Sequence, residues 1–404
     1  MKRVLIVTSS YPTHPARTYN AGGFVRDMSR TLRNLGHPVC VVTPAKDAPI
    51  TDPELKVITF PWLRPAAELA TIRPTPGNLV RLLSLVTSGA VVVAATVRIW
   101  QPEFILAFWA VPSGLLAYVA SRGTAVPYGV WALGSDIWAR RRYPMGEAIV
   151  RWVLSRASFR LADGLGLARE VEKLSGRPCK FMPSSRTLPG DVPPAELNDP
   201  GVNFLFVGRF EYQKGIDILM DAIDLIRARK HVATFHIIGD GSLRGFVEKR
   251  IRDKHLSERV KLYGYGSIEL VVSMMKACDY LIIPSRIESI PVVLSDAIRC
   301  GLPVVATNVG DMGAIIAGSG IGFVVRPRSP EALVTGIESA LNTPKEQFSE
   351  NLRAAGRLFD PALVAAKLST LIQGNEDGPD RIPVGLLAHL GKGKGSGWED
   401  CQGL

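Results

Sequence analysis

Short apolar runs alternate along this chain with longer stretches whose apolar positions recur at helical spacing. Residues 3–8 predict a first strand and 9–20 a polar, proline-bearing loop; from Gly22-Gly23 the positions Phe24, Val25, Met28, Leu32 and Leu35 trace a helix that Gly36 ends. A second strand follows at 39–43. Residues 50–100 are broken by Pro, Arg and Trp and predict only a helical region towards their end. Within it the charge-free stretch 82–97 falls short of the roughly 20 residues a spanning helix needs, and predicts a helix that is buried or lies on a membrane. Strands at 104–108 and 128–133, a helix at 113–122, and an amphipathic helix at 149–161 with Arg151, Arg156 and Arg160 on or near its polar side complete the first half.

At 182–200 the composition turns to Pro, Ser, Gly and acids (MPSSRTLPGDVPPAELNDP), which predicts a linker. Beyond it the alternation is cleaner, with strands at 203–207, 233–238, 260–263 and 280–283 and helices at 216–229, 243–254 and 268–277. Residues 281–310, LIIPSRIESIPVVLSDAIRCGLPVVATNVG, compress a strand, a polar loop, a helix and another strand into one segment. Pro291 suits the first turn of that helix, where a missing N–H costs nothing, and Cys300-Gly301 stops it. Strands alternating with helices specify an α/β fold of parallel sheets covered on both faces. The predicted organisation is a Rossmann-like domain over 1–182, a linker over 183–200, a second Rossmann-like domain over 201–360, a C-terminal helix over 361–375 crossing back to the first domain, and a disordered tail over 376–404.

Composition adds bounds. At 404 residues the chain is too long for one ordinary core, and 47% hydrophobic with 21% charged residues describes folded domains. Cys40, Cys179, Cys278, Cys300 and Cys401 are scattered without a C-x-x-C pair, so neither a disulfide frame nor a zinc site is supported. The opening MKRVLIVTSSYP is too short for a signal peptide, which points to the cytoplasm. The net charge of +11 is uneven: residues 60–160 hold eleven arginines, no lysine and only Glu68, Glu103, Asp136 and Glu147. That is either a solvated basic face or one drawn to anionic lipid or a phosphate-bearing acceptor at the inner face of the cytoplasmic membrane. No nucleic-acid partner is expected, because the tryptophans do not interleave with the basic residues as a stacking platform would.

The chemistry-bearing residues stand at strand ends. Glu288 sits at the mouth of the 281–310 turn, and Asp296 lies about two helical turns on, on the same side. Both face the carboxyl end of parallel strands, where open α/β sheets take ligands. Arg209 follows the strand at 203–207 and Lys214 precedes the helix after it, and a guanidinium fork and an ammonium beside a helix N-terminus suit a diphosphate. Gly264-Tyr265-Gly266 offers an aromatic face for a flat base. Gly22-Gly23 either lets backbone N–H groups approach an anion or serves the turn alone. Asp136 ends another strand and either caps the helix that follows or faces a substrate.

Four segments, VGRFEYQKGIDILMDAI, HIIGDGSLR, VKLYGYG and PSRIESIPVVLSDAIRCGLPVVATNVGD, together resemble the donor domain of the family 4 retaining glycosyltransferases of GT-B fold. The resemblance implies two Rossmann-like domains with parallel sheets facing across a cleft, and a nucleotide-diphosphate sugar as co-substrate with no cofactor. Arg209 and Lys214 would bind the diphosphate and stabilise its departure, and Glu288 would meet the donor sugar. The Ser289-Ile290 backbone would approach sugar and phosphates, Asp296 would hold the ribose, and Gly22 and Gly23 would touch the phosphates from the first domain. The acceptor would be a glycan or lipid-linked precursor, as in polysaccharide biosynthesis, with Asp136 among the reacting groups. The chain departs from the family at Asp296, where glutamate is usual, and at Leu133 in WALGSDIW, where a histidine is frequent; no histidine replaces it in sequence, although His14, in the loop after the first strand, could reach the cleft. No D-x-D pair is present to hold Mg²⁺, so metal-independent catalysis is expected. A non-catalytic nucleotide-sugar-binding subunit is the alternative.

Overall fold

A computed structural model describes residues 1–13, 21–63, 75–143 and 145–375. His14, Arg64, Arg73 and the tail predicted over 376–404 lie outside them. The chain divides into two compact units. The first comprises Met1–Thr187 and the C-terminal helix, and the second Leu188–Asp360.

The first unit runs β1 (Val4–Thr8), α1 (Ala21–Asn34), β2 (Val39–Pro44), β3 (Lys56–Phe60), α2 (Pro76–Trp100), β4 (Phe104–Phe108), α3 (Leu115–Thr124), β5 (Tyr128–Ala132), α4 (Ser135–Trp138), α5 (Gly146–Arg156), β6 (Arg160–Ala162), α6 (Leu165–Ser175) and β7 (Lys180–Phe181). Its strands form one parallel sheet in the order β3-β2-β1-β4-β5-β6-β7. Every residue of β1, β2, β4 and β5 is buried, because helices cover both faces. Leu85 and Val93 of α2, Leu116 of α3 and Val153 of α5 share one core layer. Phe24, Met28 and Leu32 of α1 share the other with Val364, Leu368 and Ile372 of the last helix, α14 (Pro361–Gln373). Buried His37 fastens α14 in place through its Nε2 and Ser369 Oγ, 2.8 Å apart, while its Nδ1 meets the Lys2 carbonyl at 2.9 Å.

One predicted helix is corrected here. The helix expected over 149–161 stops at Arg156; Ser158 donates to the Tyr128 carbonyl at 2.7 Å, and residues 160–162 join the sheet beside β5. Arg160 is therefore buried, and its guanidinium donates to the carbonyls of Leu154, Ala157 and Pro178 at 2.7 to 3.0 Å. A three-residue strand is too short for its period to separate from the helical one, and the unpaired edge of β5 decided the outcome.

The second unit runs β8 (Val202–Val207), α7 (Ile216–Ala228), β9 (Ala233–Ile238), α8 (Arg244–Asp253), β10 (Val260–Gly264), α9 (Ile268–Ala277), β11 (Tyr280–Ile283), α10 (Val292–Arg299), β12 (Val304–Thr307), α11 (Met312–Ser319), β13 (Gly322–Val325), α12 (Pro330–Leu341) and α13 (Ser349–Gly356). The sheet order β10-β9-β8-β11-β12-β13 repeats that of the first six strands of the first unit. Both are doubly wound, with the winding reversing beside the first strand, between β1 and β4 in one and between β8 and β11 in the other. Each unit is a Rossmann-like α/β domain, and the pair makes the GT-B class.

Candidate active site

The loops after β8 and β11 flank the reversal point of the second sheet, where an open α/β sheet leaves a crevice. After β8 the chain passes Gly208 and Arg209, forms a 3-10 turn over Tyr212–Lys214, and enters α7 through Gly215. Gly215 has φ +68°, and a Cβ there would overlap the carbonyl oxygen of Pro284 at the end of β11. Only glycine permits this approach, and it brings the two loops together. Lys214 Nζ forms an ion pair with Glu288 Oε1, both side chains being largely shielded.

Arg286 holds the loops in that register. Its backbone N–H donates to the Gln213 carbonyl at 2.8 Å, and its guanidinium forks onto Asp217 of α7 at 2.7 and 2.6 Å. It also donates to the Tyr212 carbonyl at 2.7 Å and lies 4.0 Å from the Tyr212 ring centroid. A bidentate, ring-stacked guanidinium fixes direction as well as distance. Sequence reasoning gave Arg286 and Asp217 no role, since 69 positions separate them. On its other side the loop is gripped by the turn after β12. There Gly310 (φ +55°) leaves no room for a Cβ beside the Glu288 carbonyl, and Asp311 N–H donates to the Ser289 carbonyl at 3.3 Å. Ser289 and Ile290 are buried, and Ser289 Oγ makes no hydrogen bond among the described residues.

The remaining sequence candidates of this unit are spread around the crevice. Arg209 is exposed in the same loop as Lys214. Asp296 is fully buried in α10, whose first turn follows Pro291 in an extended conformation. Pro291 thus caps the helix from just outside rather than occupying its first turn. Tyr265 is 77% exposed beyond β10. Among the described residues no group of three or more His, Cys, Asp or Glu is arranged to hold a metal ion.

Three candidates lie in the first unit. Gly22, in the first turn of α1, lies against the Tyr11-Pro12 backbone, where a Cβ would come within 2.9 Å of Tyr11 C, so packing alone requires glycine there; Gly23 follows it in the helix. Asp136, in α4 after β5, accepts from the backbone N–H of Ala110 at 2.5 Å and of Leu133 at 3.3 Å, tying the β4–α3 loop to the turn after β5. Burial pushes its carboxyl up to about 6, against the pull of those N–H groups. Leu133 packs against the apolar layer beneath α1.

Comparison with known proteins adds identity to this geometry. The family described as glycosyl transferases group 1 matches residues 193–359, and the glycosyl transferase 4-like domain matches residues 21–182. An uncharacterized glycosyltransferase of Methanocaldococcus jannaschii is 36% identical over 163 residues; that match covers 40% of this chain and only 44% of the relative's length. A glycogen synthase of Mycobacterium tuberculosis is 24% identical over 418 residues, covering 95% of this chain and 98% of its own. Among solved structures, Anabaena HepE in complex with UDP superposes with a TM-score of 0.71 at 18% identity, over 92% of this chain and all of its own.

Proposed function

Because the chain belongs to the family 4, group 1 glycosyltransferases of GT-B fold, we propose that it moves a sugar from a nucleotide-diphosphate donor to a glycan or lipid-linked acceptor, with retention at the anomeric carbon. The observation that carries this reading is the Lys214–Glu288 pair, held across the reversal point of the second sheet by the Arg286–Asp217 fork. The pair is shielded but not sealed, with the Lys214 side chain 27% exposed, so a ligand oxygen can reach the ammonium. Lysine carries three donors and can keep Glu288 while accepting a phosphate oxygen as partner.

In the proposed reaction the acceptor hydroxyl attacks the anomeric carbon from the side on which the diphosphate leaves. The carbon–oxygen bond to phosphate breaks, and the hydroxyl proton passes to the departing phosphate oxygen. Lys214, Arg209 and the N-terminus of α10 supply positive charge where negative charge grows, the largest electrostatic contribution available to such a step. Glu288 orients the donor sugar, and the buried Ser289 Oγ, with the Ser289-Ile290 backbone, lies within the same loop as a further donor contact. Asp296 and Tyr265 are assigned to the nucleoside, and Gly22-Gly23 to the phosphates. The reaction then proceeds without a metal ion, in the cytoplasm.

One observation favours the alternative of a non-catalytic nucleotide-sugar-binding subunit. Both carboxylate oxygens of Asp136 are engaged by backbone N–H groups and Leu133 stands where the family often has histidine, so neither of these two positions offers a free reactive group. Incubation with UDP-, GDP- and ADP-sugars separates the two. The enzyme releases nucleoside diphosphate from at least one donor, and Lys214→Ala and Glu288→Gln cut that release by at least 100-fold with an unchanged melting temperature. Wild-type rates in both variants refute the assignment of these residues, and tight donor binding with no release from any donor establishes the binder.

A further inference from the structure

Helix α2 carries two faces of opposite fate. Leu85, Gly89, Val93, Thr96 and Val97 pack inward, with Gly89 so close to Leu116 and Phe60 that a Cβ would overlap them. Val80, Leu83, Thr87 and Val91 recur at three- and four-residue spacing on the other side, where Leu83 is 62% and Val91 69% exposed. The helix is long and apolar enough to cross a membrane, yet its inner face is part of the sheet's core layer, so it lies along a surface instead. The outer stripe is uncharged from residue 82 to 97 and ends in Arg81 and Arg98, which stand about 25 Å apart along the axis.

The neighbouring helices continue the same surface. α3 packs beside α2 and presents Val119 and Arg122; α5 packs beside α3 and presents Trp152, with Arg156 5.1 Å from its ring and Tyr118 4.9 Å away. The three helices together hold five arginines (81, 98, 122, 151 and 156) against one acid, Glu147, which is itself paired with Arg140, Arg141 and Arg151. An exposed apolar stripe rimmed by arginines, with a tryptophan at its edge, matches the two layers of an anionic bilayer surface, acyl chains below and phosphates above. A protein partner would have to be both apolar and acidic over the length of α2; an anionic membrane supplies that combination without further specification.

We propose that the outer face of α2, extended by α3 and α5, seats this protein on an anionic membrane, with Leu83 and Val91 entering the acyl boundary and Arg81, Arg98, Arg122 and Arg151 lying at the headgroup phosphates. The inference gives the acceptor proposed above a lipid surface to reside in, but it rests on this face alone, and docking is measured with no donor present. The test is flotation of the full chain with vesicles of phosphatidylcholine alone or with about one third phosphatidylglycerol. The protein floats with the anionic vesicles at 50 mM salt, and partition falls at least tenfold on phosphatidylcholine alone, in 500 mM salt, or on L83E/V91E; each arginine near the surface accounts for about fivefold of it. Both substituted positions are exposed, so the variant keeps the wild-type melting temperature and its nucleoside diphosphate release. Equal partition of wild type and variant, absence of flotation with anionic vesicles, or a wild-type dimer that the variant dissociates each overturns the proposal, the last in favour of a second copy on this face.

Discussion

Removal of the Arg286 guanidinium tests whether the crevice is held by the fork onto Asp217. The variants are Arg286→Ala, Asp217→Ala, the double variant and Arg286→Lys. Arg286 is 9% exposed and Asp217 27% in their side chains, so the pair is shielded on one side only. Hydrogen bonds to charged groups contribute about 1.5–3 kcal/mol, and stranding one member of a fully buried pair costs about 3–5; partial exposure of Asp217 brings the loss to about 2–3 kcal/mol. If that free energy holds Lys214 and Glu288 in register, its full transfer to the transition state lowers kcat/KM by about 30- to 150-fold. The assay is the initial rate of nucleoside diphosphate release over a range of donor concentrations. Because the two residues act as one unit, the double variant falls within about threefold of Arg286→Ala rather than multiplying the single effects. Arg286→Lys stays impaired, since an ammonium cannot reproduce a planar fork stacked on Tyr212. Multiplicative losses in the double variant, or full activity in Arg286→Lys, refute the positioning role.

Two further expectations follow from backbone and burial. Gly215→Ala and Gly301→Ala both place a Cβ at positive φ in the second unit, but only Gly215 faces a neighbouring carbonyl, Gly301 having open space; thermal melts therefore show a loss of about 1 kcal/mol for Gly301→Ala and a clearly larger one, with loss of turnover, for Gly215→Ala. Asp136, with its folded value raised from 3.8 to about 6, makes the native state hold the extra proton between those values. Stability relative to Asp136→Asn accordingly falls by about 3 kcal/mol as pH rises from about 4 to about 6, and is level above; a pH-independent gap between the two proteins in chemical unfolding contradicts this.

The sequence carried the parallel α/β pattern because buried parallel strands are short apolar runs whose ends are marked by glycine and proline. Tyr280–Ile283 and Ile268–Ala277 follow the predicted bounds, and α14 begins and ends where its periodicity does. Strand β3 escaped notice because its KVITF lies at the sheet edge with only Phe60 fully buried, so no continuous apolar run announces it. The length of α2 was hidden for a related reason: its exposed side is as apolar as its buried side, and a helix without amphipathic contrast gives no period to read. In the crevice, Lys214 and Glu288 stand at strand ends as their motifs suggested, whereas the link between them did not show. Arg286 reads locally as one more loop cation, and only the folded sheet brings Asp217 in front of it.

The helix α14 has a consequence for the order in which the molecule is made. Residues 1–187 leave the ribosome first, yet their apolar layer on the α1 side lacks Val364, Leu368 and Ile372 until synthesis has passed the entire second unit. The second unit holds all of its strands by residue 325 and can close while the first still waits with one layer uncovered. The unit begun earliest is therefore the one finished last, and a nascent chain interrupted between residues 188 and 360 exposes the bare flank of α1 to whatever apolar surface is at hand.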